Sequence, residues 1–176
     1  MGHLTRLFSV VALMAGVAAA SAADRDPVHR GITARQGTSL RQGTAAFAQG
    51  NYLLAARLLA PAAERGNARA AAMLGFMYEH GYGVPQSYDV AVGHYTEAAE
   101  RGEPSGQYLL GLMYDKGHGV DLDDVLAYKW LSLAAAAAPA HNRENYLRIR
   151  DAVASKMSFN EIMVGQRLAI EWRTEP

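Results

Sequence analysis

The chain has 176 residues, of which 50% are hydrophobic, 17 are basic and 17 are acidic, and it contains no cysteine. This length suits one domain or a short repeat array and leaves no room for a second large domain. The formal charge of zero argues against nucleic acid or an anionic membrane as a partner, because both require a basic face. The absence of cysteine excludes disulfides, thiolate metal sites and cysteine nucleophiles.

Residues 1–23 have the features of a signal peptide. Arg6 precedes an uncharged run over residues 7–20, and Ala20-Ser21-Ala22 forms a small-residue cleavage pattern before Asp24. The run, about 14 residues, is shorter than the roughly 20 that span a bilayer. We predict cleavage near Ala22 or Ala23, export to the periplasm or the medium, and no stable membrane insertion afterwards. The alternative is an uncleaved anchor or a buried core helix.

Residues 24–37 form a polar segment without a clear apolar period. This segment contains Pro27 and Gly31, both of which interrupt regular structure. We predict a flexible lead-in to the folded part of the chain.

The middle of the chain repeats with a spacing of 36 residues, which is the strongest signal in the sequence. The recurring pairs are Leu74-Gly75 with Leu110-Gly111, Met77-Tyr78 with Met113-Tyr114, Gly81-x-Gly83-Val84 with Gly117-x-Gly119-Val120, and Ala91, Ala98 and Ala99 with Ala127, Ala134 and Ala135. A weaker copy lies upstream, from Tyr52 to Gly66. We therefore predict three repeats, at residues 38–66, 67–102 and 103–139.

Each repeat is predicted to be a pair of helices. The second helix, of about 14 residues, follows a good N-cap residue and ends before glycine or proline. The N-cap residues are Asn51, Ser87 and Asp123, and the terminating residues are Gly66, Gly102 and Pro139. The first helices are predicted to begin near Asn67 and near Glu103-Pro104. They end at Gly81 and Gly117, where glycine accepts the left-handed conformation.

Gly75 and Gly111 lie inside the predicted first helices. A glycine inside a helix costs about 1 kcal/mol relative to alanine, so its recurrence at one register predicts a close approach between helices. The repeated alanines are expected to supply the partner surface, and they are Ala91, Ala98, Ala99, Ala127, Ala134 and Ala135.

These motifs resemble the Sel-one-like repeat (SLR) family, a relative of the tetratricopeptide repeat. The resemblance is carried by Ala71-x-x-Leu74-Gly75-x-Met77-Tyr78-x-x-Gly81-x-Gly83-Val84 and Ala98-Ala99-Glu100-Arg101-Gly102, and by the copy 36 residues later. The last repeat, 103–139, departs from the family pattern at Pro139. The upstream repeat, 38–66, lacks the Leu-Gly and Gly-x-Gly-Val elements and is similar to a degenerate tetratricopeptide pair. The resemblance covers about residues 38–139. It implies an all-α fold, a right-handed α/α solenoid of about three helix pairs.

Residues 140–176 follow a different pattern. Tyr146, Ile149, Val153 and Met157 have the spacing of an amphipathic helix. Ser158-Phe159-Asn160-Glu161 is a capping-box pattern that opens a last helix, whose predicted apolar side contains Ile162, Met163, Ala169 and Trp172. Because the apolar end of a solenoid requires cover, we predict a two-helix C-terminal cap.

No motif predicts a catalytic, cofactor-binding or metal-binding residue. The histidines His80, His94, His118 and His141 form no i, i+4 pair, and no H-E-x-x-H occurs. Gly-x-Ser-x-Gly and Ser-x-x-Lys are also absent. The two Gly-x-Gly segments follow predicted helices rather than strands, which argues against a phosphate loop.

The predicted partner-binding residues lie on the first helices and their turns. A second face of these helices carries Met73, Phe76 and His80, repeated as Leu109, Leu112 and Lys116, with the rim residues Glu79, Tyr82, Asp115 and His118. The resemblance implies that first helices line the concave groove that the family uses for binding. We predict a protein or peptide in this groove. The alternative is that the apolar residues pack only between neighbouring first helices.

These observations favour a non-catalytic interaction module or scaffold in the bacterial cell envelope, with a protein or peptide partner and no nucleic acid. One alternative is an envelope enzyme, or an accessory that acts on peptidoglycan or its precursors. A further alternative is one component of a larger complex, in which a partner solenoid extends the array.

Overall fold

The computed structural model describes residues 39–174, which contain eight α-helices and no strand. Helix α1 spans 39–48, and the others are α2 (Tyr52–Glu64), α3 (Ala68–His80), α4 (Tyr88–Glu100), α5 (Pro104–Lys116), α6 (Asp124–Ala137), α7 (Ala140–Ala154) and α8 (Phe159–Thr174). The predicted signal peptide, 1–23, and lead-in, 24–37, lie outside the described residues.

The second helices α2, α4 and α6 begin at the predicted N-caps. Asn51, Ser87 and Asp123 each accept a hydrogen bond through the side chain from the backbone N–H three residues later, over 3.3, 3.3 and 2.9 Å. This bond satisfies one of the N–H groups that an α-helix leaves unpaired at its start. Equal spacing of the caps therefore gives helices that begin 36 residues apart.

The first helices α3 and α5 end at the predicted glycines. Gly81 has φ 70° and Gly117 has φ 64°, and both adopt the left-handed conformation. A residue with a β-carbon is strained there, so glycine stops each helix and redirects the chain into the Gly-x-Gly turn.

Consecutive helices from α2 to α7 pack against one another, both within a pair and between pairs, whereas α8 packs on α6. Helices α3 and α5, the first helices of neighbouring pairs, also pack directly against each other. The largest core cluster extends from Phe47 through α3 and α4 to Leu133 of α6. Two smaller clusters, which contain Tyr128 and Tyr146, lie where α7 packs on α6.

Gly75 and Gly111 mark the predicted close approach of the two helices within a pair. A β-carbon at Gly75 would lie 2.6 Å from the Tyr95 ring and 3.1 Å from the Ala91 carbonyl oxygen. The equivalent atom at Gly111 would lie 2.8 Å from Leu131 Cγ. The approach is confirmed, because neither position leaves room for a side chain.

Ala98 has a different role from the one predicted for it. A β-carbon at Gly106 of α5 would lie 2.5 Å from the Ala98 methyl group, so Ala98 forms part of the junction between successive pairs. This alanine lies on the side of α4 that faces the next first helix. Gly75 of its own pair is instead contacted by the bulkier Tyr95.

Gly43 of α1 repeats the contact of Gly75, although the sequence period does not reveal it. A β-carbon there would lie 2.7 Å from Leu59 Cγ of α2, and Leu59 is 36 residues before Tyr95. Gly43 precedes Gly75 by only 32 residues, because the turn 49–51 is four residues shorter than the turn 81–87. The first pair thus has the same tight packing as the others.

Helix α7 is the amphipathic helix that the spacing predicts. Tyr146 and Val153 are 1% exposed, and Ile149 and Met157 are partly buried beside them. It begins 36 residues after α5 and packs against α6, in the position of a further first helix.

Helix α8 begins with the predicted capping box and packs mainly on α6. The Ser158 N–H donates to Glu161 Oε2 over 2.7 Å, and the Glu161 N–H donates to Ser158 Oγ over 3.3 Å. Met163 was expected on the apolar side but is 49% exposed. The buried face instead contains Gly165, which lies against Tyr128 of α6. Ile162, Ala169 and Trp172 pack as predicted.

Candidate partner-binding surface

The apolar floor predicted for the groove lies inside the array. Met73 is 1% exposed, and Phe76 and Leu109 are 4% exposed. Their burial results from packing between helices, because Phe76 contacts Phe47 of α1 with ring centroids 6.0 Å apart. Partner-contacting roles for these three residues are therefore corrected to core packing, which is the alternative that the sequence left open.

The remaining predicted residues lie at the C-terminal ends of α3 and α5 and in the turns that follow. His80 and Lys116 are exposed at equivalent positions, and Tyr82 and His118 are half-buried at the next equivalent pair. Leu112 is half-buried beside them. We refer to these five residues as the first-helix face.

Glu79 is half-buried, and its side chain is occupied by a bond within the repeat. The Tyr95 hydroxyl donates to Glu79 Oε2 over 2.6 Å and thereby joins α4 to α3. Burial raises the pKa of Tyr95 well above its ordinary value, and the neighbouring Glu79 charge and the hydrogen bond raise it further. Tyr95 is thus a permanent donor at physiological pH, and Glu79 has a structural role.

Asp115 is also occupied. Lys156, in the turn between α7 and α8, pairs with Asp115 of α5 and with Asp124 of α6, the latter over 3.0 Å. The two side-chain hydrogen bonds raise the pKa of Lys156 above its ordinary value. This pair of contacts fixes the C-terminal turn to the last repeat, so Asp115 has a structural role as well.

An aromatic cluster extends the first-helix face toward the N-terminal pair. The Tyr82 ring stacks on Tyr52 at 4.6 Å with 13° between the planes, and it stacks on His80 at 5.5 Å with 22°. Phe76 and Phe47 lie beneath these rings, with the Phe76 and His80 centroids 4.2 Å apart. Burial raises the pKa of Tyr82, and the nearby Tyr52 raises it further. Stacked aromatic rings with polar atoms at their edges suit contact with apolar or cationic groups of a partner.

Phe47 and Tyr52 belong to this cluster, although neither was predicted as a partner-binding residue. The signal was present in the period, because Tyr52 and Tyr88 are 36 residues apart, as are Tyr82 and His118. The structure repeats the contact at the next junction, where Tyr88 and His118 have ring centroids 4.7 Å apart. An aromatic side chain of the turn thus contacts the first residue of the preceding second helix at both junctions.

His94 lies away from the first-helix face and joins the two helices of its pair. Its ring stacks on Tyr78 at 5.5 Å with 21° between the planes. Burial lowers the pKa of His94, and the charge of Glu97 opposes this shift in part. The neutral form is therefore favoured in the folded protein.

Between residues 39 and 174, no three histidine or carboxylate side chains are grouped as a metal site requires. No helix in the same range combines the length and the apolar character of a membrane span.

Comparison with known proteins gives a family match and several similar solved structures, two of which are described below. A family model described as Sel1 repeat matches residues 40–67, 68–103 and 104–139, more than half of the chain. No curated protein matches the chain.

The first similar structure is a protective antigen present in uropathogenic Escherichia coli strains, displaying an SLR fold, with TM-score 0.72 and 21% identity. The second is a Sel1 repeat protein from Oxalobacter formigenes, with TM-score 0.61 and 26% identity. The matches cover 94% and 76% of this chain, but only 36% and 54% of the two relatives. The chain thus spans about a third and about half of their lengths.

Proposed function

Because the chain belongs to the Sel1 repeat family, we propose that it is a protein-interaction scaffold without catalytic activity of its own, which holds a partner segment along the first-helix face. One observation carries this proposal: equivalent positions of the first helices remain apolar where they are buried and change in chemical character where they are exposed. Met73 and Leu109 are both apolar and buried, whereas His80 is replaced by Lys116 at the exposed position. Packing explains the first pair, and a partner with a defined sequence explains the second.

The packing of the helices supports the choice of this side. In the two full repeats, direct packing joins α3 to α5, whereas no comparable packing joins α4 to α6. The order is reversed after these repeats, where α8 packs on α6. Equivalent helices that lie closer together belong on the inside of a curved array, and the inside of a solenoid is an extended binding surface. The first-helix face is thus on the concave side in this proposal.

The roles of the ionisable groups support a scaffold rather than an enzyme. Glu79 orients Tyr95, Asp123 caps α6, and Asp115 and Asp124 bind Lys156. Each of these contacts holds one helix to another or begins a helix. Catalytic acids and bases are instead typically clustered around a concave site that admits a substrate.

Export to the bacterial cell envelope is part of the proposal and rests on residues 1–23. The positively charged start, the short apolar run and the small-residue cleavage pattern are typical of a signal peptide. Stacked helices stabilise the described part of the chain without disulfides, which suits a chain that contains no cysteine.

A pull-down from an extract of the native host tests the scaffold proposal. The double variant His80→Glu and Lys116→Glu changes two exposed side chains and leaves every buried side chain in place, unlike any substitution at the buried Phe76. The matched control, Arg57→Glu and Arg65→Glu, makes similar charge changes at exposed positions at and just after α2. We expect the control to retain the specific partner and the first variant to lose it. Equal retention by both variants would refute the assignment of this face.

A further inference from the structure

The edge at which each first helix turns into its second helix is a larger surface, which includes His80, Tyr82, Lys116 and His118 of the first-helix face. This turn edge comprises residues 48–54, 79–90, 115–126 and 154–163. It is continuous, because successive turns contact one another: Gly83 lies against Tyr52 and Leu53, Gly119 lies against Tyr88, and Lys156 pairs with Asp124. The four segments therefore form one surface along the array.

Most of the exposed apolar side chains lie on this edge. Nine large apolar residues are exposed in the described part of the chain, and seven of them belong to the turn edge. Six lie just before the second helices or in their first turns, a set that we name the apolar row: Leu53, Leu54, Tyr88, Val90, Leu122 and Phe159. The three most exposed, Leu53, Leu122 and Phe159, are 63%, 62% and 75% accessible. Exposed apolar residues that are clustered rather than scattered mark an interaction site.

The same edge is strongly acidic. Its four segments contain seven carboxylates and two lysines, a formal charge of −5. Residues 62–69, 97–104, 136–144 and 170–173, on the opposite edge, contain six carboxylates and five basic residues. The negative charge is therefore specific to the edge that carries the apolar row.

Two carboxylates of the turn edge are available to a partner. Asp89 and Asp121 are exposed, and neither has an ion-pair or hydrogen-bond partner within residues 39–174. They lie next to the row, since Asp89 is between Tyr88 and Val90, and Asp121 precedes Leu122. Apolar anchors with unpaired carboxylates beside them complement a segment that combines apolar side chains with lysine or arginine.

We propose that the turn edge binds a basic amphipathic segment of a partner protein, with the apolar row as anchor surface and Asp89 and Asp121 as charge contacts. The apolar row lies on the second-helix side of the turns and adjoins the first-helix face, because the Tyr88 and His118 ring centroids are 4.7 Å apart. The proposal rests on the scaffold function and adds the chemistry of a second partner segment. The acidic charge disfavours acidic peptides and anionic lipid surfaces at the same place.

Fluorescence anisotropy with two synthetic helix-forming peptides tests this site on the purified protein. Both peptides have 18 residues and leucines at the same positions, and their polar residues are all lysine in one and all glutamate in the other. We expect the Leu/Lys peptide to bind about tenfold or more tightly than the Leu/Glu peptide. We also expect its affinity to fall with added salt, because charge contacts on a surface are screened.

Two variants identify the residues that bind the peptide. The triple variant Leu53→Gln, Leu122→Gln and Phe159→Gln should weaken binding of the Leu/Lys peptide about tenfold or more. The double variant Asp89→Asn and Asp121→Asn should weaken binding and reduce its salt dependence. The matched control Ile170→Gln removes an exposed apolar side chain away from the edge and should leave affinity unchanged.

Failure of the Leu/Lys peptide to bind, or equal binding of the Leu/Glu peptide, would overturn the proposal. Retention of full affinity by the triple variant, with its circular dichroism unchanged, would overturn it as well. These outcomes are distinguishable from the pull-down, because the His80 and Lys116 variant leaves the apolar row, Asp89 and Asp121 unchanged.

Discussion

Gly83 lies directly against the backbone of Tyr52, the first residue of the second helix in the preceding pair. A β-carbon at Gly83 would overlap the Tyr52 carbonyl carbon and lie 2.5 Å from the Leu53 nitrogen. Gly119 repeats the contact, with the Tyr88 carbonyl carbon 2.6 Å away. The second glycine of the Gly-x-Gly turn therefore has two functions, since it adopts a left-handed conformation and permits contact between successive pairs.

Gly83→Ala should destabilise the array more than Gly81→Ala. Both glycines have φ near 70°, so alanine costs about 1–2 kcal/mol at either position for the left-handed conformation. Only at Gly83 does the new methyl group meet backbone, which adds about 1–3 kcal/mol of overpacking. Urea unfolding followed by circular dichroism measures the difference.

Gly93→Ala provides a control of opposite sign. Gly93 is helical and exposed and has open space around it, so alanine should stabilise α4 by about 0.5–1 kcal/mol. Equal destabilisation by Gly81→Ala and Gly83→Ala would contradict the contact between pairs.

Tyr95→Phe should lower the free energy of unfolding by about 1.5 kcal/mol. The substitution removes the hydrogen bond to the Glu79 carboxylate and retains the packing of the ring against Gly75. Tyr78→Phe is the matched control, with an expected change within about 0.5 kcal/mol. A double-mutant cycle with Glu79→Met, which removes the acceptor oxygens, measures the coupling, and additive effects would contradict the proposed bond.

Stability should fall on acidification because of His94. Burial lowers the pKa of His94 in the folded state, so below about pH 6.5 the unfolded chain binds more protons at this residue. The contribution of His94 to the free energy of unfolding is thus complete above the pKa of the unfolded state. It is lost as the pH falls toward the pKa of the folded state. Urea unfolding between pH 5 and 8 measures the slope.

His94→Gln should flatten this pH dependence, because it removes the titrating group. His141→Gln changes an exposed histidine of α7 and should leave the slope unchanged. An unaltered slope in His94→Gln would show that other groups cause the acid sensitivity.

Lys156→Met should weaken the attachment of the C-terminal turn without unfolding the array. The ion pairs with Asp115 and Asp124 are partly exposed, so their expected contribution is about 0–1 kcal/mol and is screened by salt. Hydrogen exchange should accelerate in the α7–α8 turn and remain unchanged in α3. Equal acceleration of exchange in the α7–α8 turn and in α3 would argue against a local role for Lys156.

The parts of the fold that sequence predicted depend on local chemistry. Asn51, Ser87 and Asp123 cap helices through their own side chains, and Gly81 and Gly117 end helices through their own backbone conformation. Such effects depend on the residue itself and a few neighbours, so a single sequence shows them.

The errors concern which neighbour a residue meets. The contact of Gly43 was not predicted, because a shorter turn places this glycine outside the 36-residue period. Ala98 faces the next pair rather than Gly75. Met163 is exposed because α8 packs on α6 through Gly165, a residue that an apolar pattern overlooks. Helical spacing places residues on a face, but the tertiary packing decides what covers that face.

The candidate surface was also predicted only in part, because the local pattern identified its exposed residues but not which of the predicted residues are buried. The sequence located His80, Tyr82, Lys116 and His118 at the ends and turns of the first helices, where side chains remain accessible. It did not separate them from Phe76, because one helical face contains both. Burial by Phe47 of α1 makes that distinction, and it depends on a contact between residues far apart in sequence.

Site-specific photo-crosslinking in the native host tests the scaffold proposal most directly. A photoreactive amino acid is placed at His80 or Lys116 on the first-helix face and, as a control, at the exposed Arg65 at the opposite edge. We expect both face positions to crosslink to the same protein and Arg65 not to do so. Absence of a common crosslinked protein at His80 and Lys116, or an equal yield of it at Arg65, would refute the scaffold proposal.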